Sequence, residues 1–573
     1  MPNLTSDRPR SWTAIRRRVD GFSIFTGLIS ITILCLVLYP LVRVVFDTFV
    51  PDGALDLDVF RDAAGQPQLG TVLLNTIGVV FGATLIAVII GSTFAWLNER
   101  TDVGINWIAR VLPVVPLLVP PIAGTIGWVL LAAPRSGFLN GVIRQALSSL
   151  GYEIFEGPLD IFSWAGLIFV YVLYLVPYVY LTVAASLQNI DPSLEEASRV
   201  SGSGVLATLL NITLPSVKPA IAAGTVLALI TGFSLFSVPV IIGGQADIEV
   251  LAVRIVHLMT ASYPPKTGVA MVLSSLIIAF VGLAWWLQAR MVLRKNYATI
   301  GGRGIRATEV RLGRWRWLAR SAMVAYLLMT SVLPLLGLIL VSLQPFWSAT
   351  VNPEMLSFEN YQRIFNGGST QIALRNSVLL GIVGATVGML IASFITVFLT
   401  RNRGWWLSNL IDGTTKLPGA VSHLVIGIAF IGAFAGPPFY LHGTIAILFL
   451  VYIVLYIPQA TFSAATALAQ VGEQLSEASL VSGASQTQTF FRVTLPLMLP
   501  GLAAGWTMLF VLIAGDITAS SMLAGTSNPV SGFVILDLWV NGSFPDLAAL
   551  GTVISLMTSA VVLATLRLAR TKR

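Results

Sequence analysis

The residues with the most distinctive spacing occur twice. Leu194-Glu195-Glu196-Ala197-Ser198-Arg199-Val200-Ser201-Gly202 is followed, after a gap of nine residues, by Ile212-Thr213-Leu214-Pro215. Leu475-Ser476-Glu477-Ala478-Ser479-Leu480-Val481-Ser482-Gly483 is followed, after the same gap of nine, by Val493-Thr494-Leu495-Pro496. Every paired position differs by 281 residues. This combination suits docking rather than catalysis. Glu196 and Glu477 offer a carboxylate to a basic partner. Gly202 and Gly483 permit a positive φ between two short helices, which a β-carbon resists. Pro215 and Pro496 fit a turn or the first turn of a following helix, where a missing N–H is no loss. The expected product is a rigid helical elbow, made once in each half of the chain.

Other reactive chemistry is sparse. Hydrolysing ATP needs a phosphate cradle of the form G-x-x-x-x-G-K-[ST]. The five lysines, Lys218, Lys266, Lys295, Lys416 and Lys572, all lie outside such a pattern. The sequence holds no Cys/His cluster and no nucleophile–base arrangement, and its one cysteine, Cys35, sits in an apolar run. No catalytic residue, no metal site and no cofactor bound by this chain is therefore expected. Among the 26 acids, Asp516 alone falls deep in an apolar stretch. A carboxylate there costs about 2.5–3.5 kcal/mol on insertion scales, which marks it for function or for a hydrogen bond inside the bundle. His423 lies in another apolar stretch, and one histidine alone makes a poor metal site. Asn75-Thr76 and Asn376-Ser377 recur at an offset of 301, near the start of an apolar run, where capping or interhelical hydrogen bonding suits them. Asp516, His423, Asn75 and Asn376 form a candidate polar path through the apolar stretches.

The elements that position these residues follow from composition. Hydrophobic residues make up 55% of the 573 and charged residues only 10%, against roughly 25% charged in soluble domains. The expected fold is an all-α polytopic membrane protein. At about 20 apolar residues per span, twelve spans are expected: 22–46, 70–97, 107–132, 163–187, 217–243, 267–289, 316–343, 373–400, 414–436, 441–467, 498–524 and 547–567. With the N-terminus inside, 26 of the 34 Lys+Arg fall on one side, while Asp47, Asp52, Asp56, Asp58 and Asp62 crowd the first opposite loop. That bias predicts both termini in the cytoplasm. The net charge of +8 then reflects cytoplasmic loops and not nucleic-acid binding, and the Arg-rich stretch 290–320 with Trp315 and Trp317 reads as a membrane-surface segment.

The repeat extends beyond the elbows. Tyr171 pairs with Tyr452 and Pro177 with Pro458 at the offset of 281. The two offsets leave about 20 extra residues in the outer loop around 133–162 of the first half. The chain divides into a cytoplasmic N-terminal segment 1–21, a six-span repeat 22–290, a basic linker 291–315 and a second six-span repeat 316–573, with the repeats parallel. Ungapped register sets Leu235 opposite Asp516, so the candidate carboxylate has no twin.

The pattern E-A-[AS]-x₃-G-x₉-[IV]-x-L-P resembles the EAA motif of permease subunits from binding-protein-dependent ABC importers. Both copies carry it, through Glu196, Ala197, Gly202, Leu214 and Pro215, and through Glu477, Ala478, Gly483, Leu495 and Pro496, with Ser198 and Ser479 at the third position. The fused length, with Phe236-Ser237-Val238-Pro239-Val240-Ile241-Ile242-Gly243 and Ala133-Pro134-Arg135-Ser136-Gly137-Phe138-Leu139-Asn140, is similar to the iron(III) transporter permease group. The resemblance implies the type I importer permease fold in a bacterial inner membrane. It implies that the elbows are coupling helices seated in two copies of an ABC ATPase, which uses ATP and Mg in trans. It implies a substrate-binding protein on the outer face and membrane lipid around the helices. Iron(III) or an iron chelate is the expected cargo, with thiamine, polyamine, phosphonate and sugar phosphate open. An ion-gradient-driven secondary transporter, or a channel or scaffold, would leave the twin elbows unexplained.

Overall fold

The computed structural model describes residues 21–50, 58–103, 119–189, 193–262, 265–293, 310–402, 404–471 and 473–570. The N-terminal segment 1–20, most of the linker and the first part of the expected third span lie outside them. Among the described residues the chain is all helical, with two isolated backbone bridges. Among the described residues ten helices are long and apolar enough to cross a membrane, or eleven if one bent pair is counted as a span. In lipid every backbone polar group must be paired within the segment, which is why the described apolar runs are built mainly of helix.

Three expected spans are not straight rods. The ninth, 414–436, splits into Trp406–Ala420 and His423–Phe434, bent by 109°. Ser422 starts the second piece by accepting a hydrogen bond from the Leu424 N–H. The fifth and eleventh, expected as 217–243 and 498–524, end early. Leu214–Ser234 stops at an extended Leu235 and resumes as a π-turn at Pro239–Gly243. Leu495–Ala514 stops at Gly515 and resumes as Ser520–Leu523. The two breaks occupy the same register. Hydropathy alone cannot reveal them, because the residues on either side remain apolar.

The halves are interlocked. The first helix, Gly21–Phe49, packs against Gly368–Arg401, Trp406–Ala420 and His423–Phe434 of the second half. Phe22 meets Phe490 at 5.2 Å between ring centroids, and Tyr39 meets Phe434 at 5.8 Å. The equivalent segment, Trp315–Ser342, packs against Pro121–Ala132 of the first half. There Trp128 Nε1 donates to the Met329 carbonyl at 3.0 Å, and Tyr326 Oη donates to the Leu173 carbonyl at 2.8 Å. Gly127 makes the crossing possible, since a Cβ on it would lie 2.3 Å from the Pro334 carbonyl oxygen. Small residues at such crossings let backbones approach closely where no hydrophobic effect separates helix from lipid.

The opposite ends of the bundle carry different furniture. At one end the first-half insertion forms the helix Phe138–Ser149, anchored by buried Asn140, whose Nδ2 donates to the Leu159 carbonyl at 2.7 Å and whose Oδ1 accepts from the Leu159 N–H at 3.0 Å. At the other end lie both elbows, the start of the first helix beside Phe490, and Val310 at the end of the linker. Val310 pairs by backbone with Arg100 and Asp102 at 2.9 and 3.1 Å.

Candidate functional site

Each elbow is built the same way. A short helix, Ser193–Val200 or Glu473–Val481, ends at a glycine with φ of +87° at Gly202 or +85° at Gly483. The Gly202 N–H donates to the Arg199 carbonyl and the Ser203 N–H to the Ser198 carbonyl. Gly483 and Ala484 do the same toward Leu480 and Ser479. This is a Schellman closure, which satisfies carbonyls left open at a helix end and selects glycine at the left-handed position. A second short helix follows, Val205–Thr208 or Gln486–Thr489. Next come a π-turn, Leu209–Thr213 or Phe490–Thr494, and the long helix with Pro215 or Pro496 in its first turn. Ser198 and Thr208 share a 3.0 Å hydroxyl hydrogen bond across the first elbow, and Ser479 and Thr489 share one of 3.0 Å across the second. Val200 and Val481, at the outer corners, are 88% and 89% exposed. Glu477, Ala197 and Ala478 are exposed and Glu196 half-buried.

The residue beside Glu196 was not singled out by its sequence, yet it is the buried one. Glu195 is 4% exposed. Its carboxylate pairs with Arg100 Nε at 3.0 Å and accepts from Thr213 Oγ1 at 2.8 Å. Arg100 also donates to the Leu187 carbonyl at 2.7 Å. The recurrence of arginine at 100 and 401, in the same register as Asn75 and Asn376, was the available signal.

Asp516 lies in the helix break and not along a helix. Its Oδ2 accepts from the N–H groups of Ala519 and Ser520 at 3.0 and 3.1 Å, and its Oδ1 accepts from Tyr456 Oη at 3.1 Å. The carboxylate thus satisfies the donors that a restarting helix leaves open. In the first half the position matching Ser520 is Pro239, which has no N–H to satisfy. That is a physical reason for the missing acidic twin at Leu235. The cluster sits where the halves meet, since a Cβ on Gly515 would lie 3.1 Å from Pro120. His423 joins it through Tyr456, edge to face at 5.7 Å between centroids. Sequence offered no hint of this bridge, because the residue matching Tyr456 in the first half is Leu175.

Asn75 and Asn376 do not join that cluster. Asn75 Nδ2 donates to the Glu249 carbonyl at 3.1 Å and Asn376 Nδ2 to the Pro529 carbonyl at 2.9 Å. Their neighbours Thr76 and Ser377 each accept from a backbone N–H, of Leu251 and Ser531, at 2.8 Å. The two pairs are matching clamps on the segments that enter the helices Leu251–Thr260 and Ser531–Val540. Among the described residues no group of three or more His, Cys, Asp or Glu is arranged to hold a metal ion.

The family described as "Binding-protein-dependent transport system inner membrane component" matches residues 83–295 and again 384–571. The chain belongs to this family. It is a double-length permease, one copy per half. It is 25% identical over 566 residues to the probable ABC transporter permease protein y4fN of Sinorhizobium fredii, covering 96% of this chain and 97% of that one. It is 24% identical over 548 residues to the ferric transport system permease protein FbpB of Actinobacillus pleuropneumoniae, covering 94% of this chain and 77% of that one. The spermidine/putrescine transport system permease protein PotB of Escherichia coli is 24% identical over 234 residues, covering 40% of this chain and 82% of PotB. The half-length and double-length relatives thus match the permease as one repeat and as two.

Proposed function

We propose that this permease is the membrane part of an ATP-driven importer in a bacterial inner membrane, with both termini cytoplasmic, and that it carries iron(III) or an iron chelate. The reading rests above all on the twin elbows. Two Schellman-closed corners in identical register, each presenting an exposed valine and the E-A-S sequence, form a matched pair of handles. Two copies of one ATPase subunit would seat on them through Glu196, Ala197, Gly202, Leu214 and Pro215 and through Glu477, Ala478, Gly483, Leu495 and Pro496. ATP and Mg would be used entirely by that partner. Its closure would draw the elbows together and rock repeats 22–290 and 316–573 about their interlocked first helices, as alternating access requires. A binding protein would deliver cargo at the end that carries the Asn140-anchored insertion, and cargo would pass the polar cluster of His423, Tyr456 and Asp516.

The ferric relatives favour iron, and the polyamine relative supports a second reading with the same machinery. Reconstitution in proteoliposomes with the cognate ATPase and binding protein separates them. Iron uptake that requires ATP and resists excess spermidine supports the first. Spermidine uptake in its place transfers the cargo assignment. Uptake driven by an ion gradient without the ATPase would replace the importer by a secondary transporter.

A further inference from the structure

The two elbows share a backbone but are fastened differently, and this difference carries the inference. In the first half, the guanidinium of Arg100 joins three elements: the end of its own helix Leu69–Arg100, the Leu187 carbonyl near the end of Trp164–Asn189, and the Glu195 carboxylate on the elbow. Both charged side chains are nearly buried, at 5% and 6% exposure. Glu195 extends the connection to Thr213 in the π-turn. The linker adds a fourth element, since Val310 pairs with the backbone of Arg100 and Asp102, and the helix that follows it adds Arg320, whose Nη2 donates to the Asp102 carbonyl at 3.0 Å. In the second half the arginine is kept, as Arg401, but the carboxylate is not. Ser476 stands where Glu195 would be and makes a 3.3 Å hydroxyl contact with Thr494, while Arg401 is exposed where Arg100 is buried, and donates to Gln486 on the second elbow.

A buried ion pair with further hydrogen bonds fixes geometry in a way that exposed or hydroxyl contacts do not, because neither charge can leave without its partner. We infer that Glu195 is a positioning residue that latches the first elbow to the end of Leu69–Arg100, making the first half the stiff arm through which ATPase closure reaches the bundle, while the second elbow is compliant. This rests on the importer reading for its transport consequence, and on the geometry alone for the stiffness.

The test has two arms. Backbone hydrogen exchange on the purified full-length permease compares the amides of Gly202 and Ser203 with those of Gly483 and Ala484. The first pair should exchange about tenfold more slowly, and Glu195→Gln should abolish the difference. In proteoliposomes with ATPase and binding protein, Glu195→Gln should lower uptake per ATP hydrolysed about fivefold while the ATPase still co-purifies. Ser476→Ala should leave the ratio within twofold. The double variant Arg100→Gln/Glu195→Gln, which buries no lone charge, keeps both arms readable if the single variant fails to assemble. Equal exchange in the two elbows, or an unchanged uptake ratio in the assembled variants, overturns the inference. The exchange arm needs no ATPase, so a wild-type chain that transports nothing on ATP hydrolysis would strike the importer reading while the latch is still measured.

Discussion

Gly202 and Gly204 lie two residues apart in the first elbow, and a Cβ on either would meet nothing within 4 Å. They differ in backbone: Gly202 has φ of +87°, whereas Gly204 has φ of −68° and ψ of 165°. Alanine at 202 therefore costs only the conformational term, roughly 1–2 kcal/mol for an L-residue held left-handed. Alanine at 204 costs no such term, and its effect should stay within about 0.5 kcal/mol. A penalty of 1–2 kcal/mol changes a conformational ratio by about 5–30-fold. Gly202→Ala should accordingly raise exchange at the Gly202-to-Arg199 and Ser203-to-Ser198 bonds by about that factor, and Gly204→Ala should not. Gly483, at +85°, repeats the argument. The elbows belong to different halves, so the double variant Gly202→Ala/Gly483→Ala should cost about 2–4 kcal/mol by additivity. ATP-dependent uptake per assembled complex should fall from wild type through the single variants to the double, while membrane insertion stays constant. Equal responses at 202 and 204 would rule out a conformational role for Gly202, because space is the same at both positions and only the sign of φ distinguishes them.

Other consequences are as specific. Asp516→Ala removes the acceptor for Ala519 and Ser520, while Tyr456 keeps the Leu512 carbonyl, and unpaired buried donors cost about 1–3 kcal/mol each. Its thermal stability in detergent should drop well below that of Asp516→Asn. If Asp516→Asn transports normally per assembled complex, the carboxylate is purely a helix-break cap; a selective loss of uptake is the outcome the cargo-path proposal expects. Asn376→Ala strips the Pro529 carbonyl of its donor and should cost about 1–2 kcal/mol in a thermal melt. Gly127→Ala pushes a methyl against the Pro334 backbone and should cost about 1–3 kcal/mol, whereas Gly282→Ala, with open space around it, should be neutral in the same melt.

What the sequence made legible is what stands out against an apolar background. The elbows are polar, glycine-punctuated islands between apolar runs, and their repetition at a fixed offset made both the motif and the φ of Gly202 and Gly483 readable. Span positions were readable from hydropathy for the same reason. The breaks at 235–236 and 515–519 were not, because a helix can stop inside an apolar run wherever Pro239 or Asp516 satisfies the new start. The exchange of first helices between halves was equally hidden. Helix Gly21–Phe49 is apolar on every side, so nothing in its pattern says that Phe22 faces Phe490 and Tyr39 faces Phe434. Adjacent helical positions point about 100° apart, so the sequence could not say that Glu195, and not Glu196, turns inward to Arg100. Asn75 and Asn376 were legible as a recurring pair, but only the tertiary structure supplies the Glu249 and Pro529 carbonyls that make them clamps.

On the proposed reading an external motor grips this permease at two matching corners. Val200 and Val481 are the corner residues, and replacing the single native Cys35 by alanine leaves a clean background for Val200→Cys and Val481→Cys. Crosslinking each cysteine in membranes that contain the cognate ATPase is the direct measurement. Both positions should crosslink to the ATPase subunit, with yields that change when ATP is added, and both should be protected from an impermeant maleimide applied outside intact cells. Labelling of either cysteine from outside, or ATPase that co-purifies without touching either corner, would show that the elbows are not the motor's docking corners.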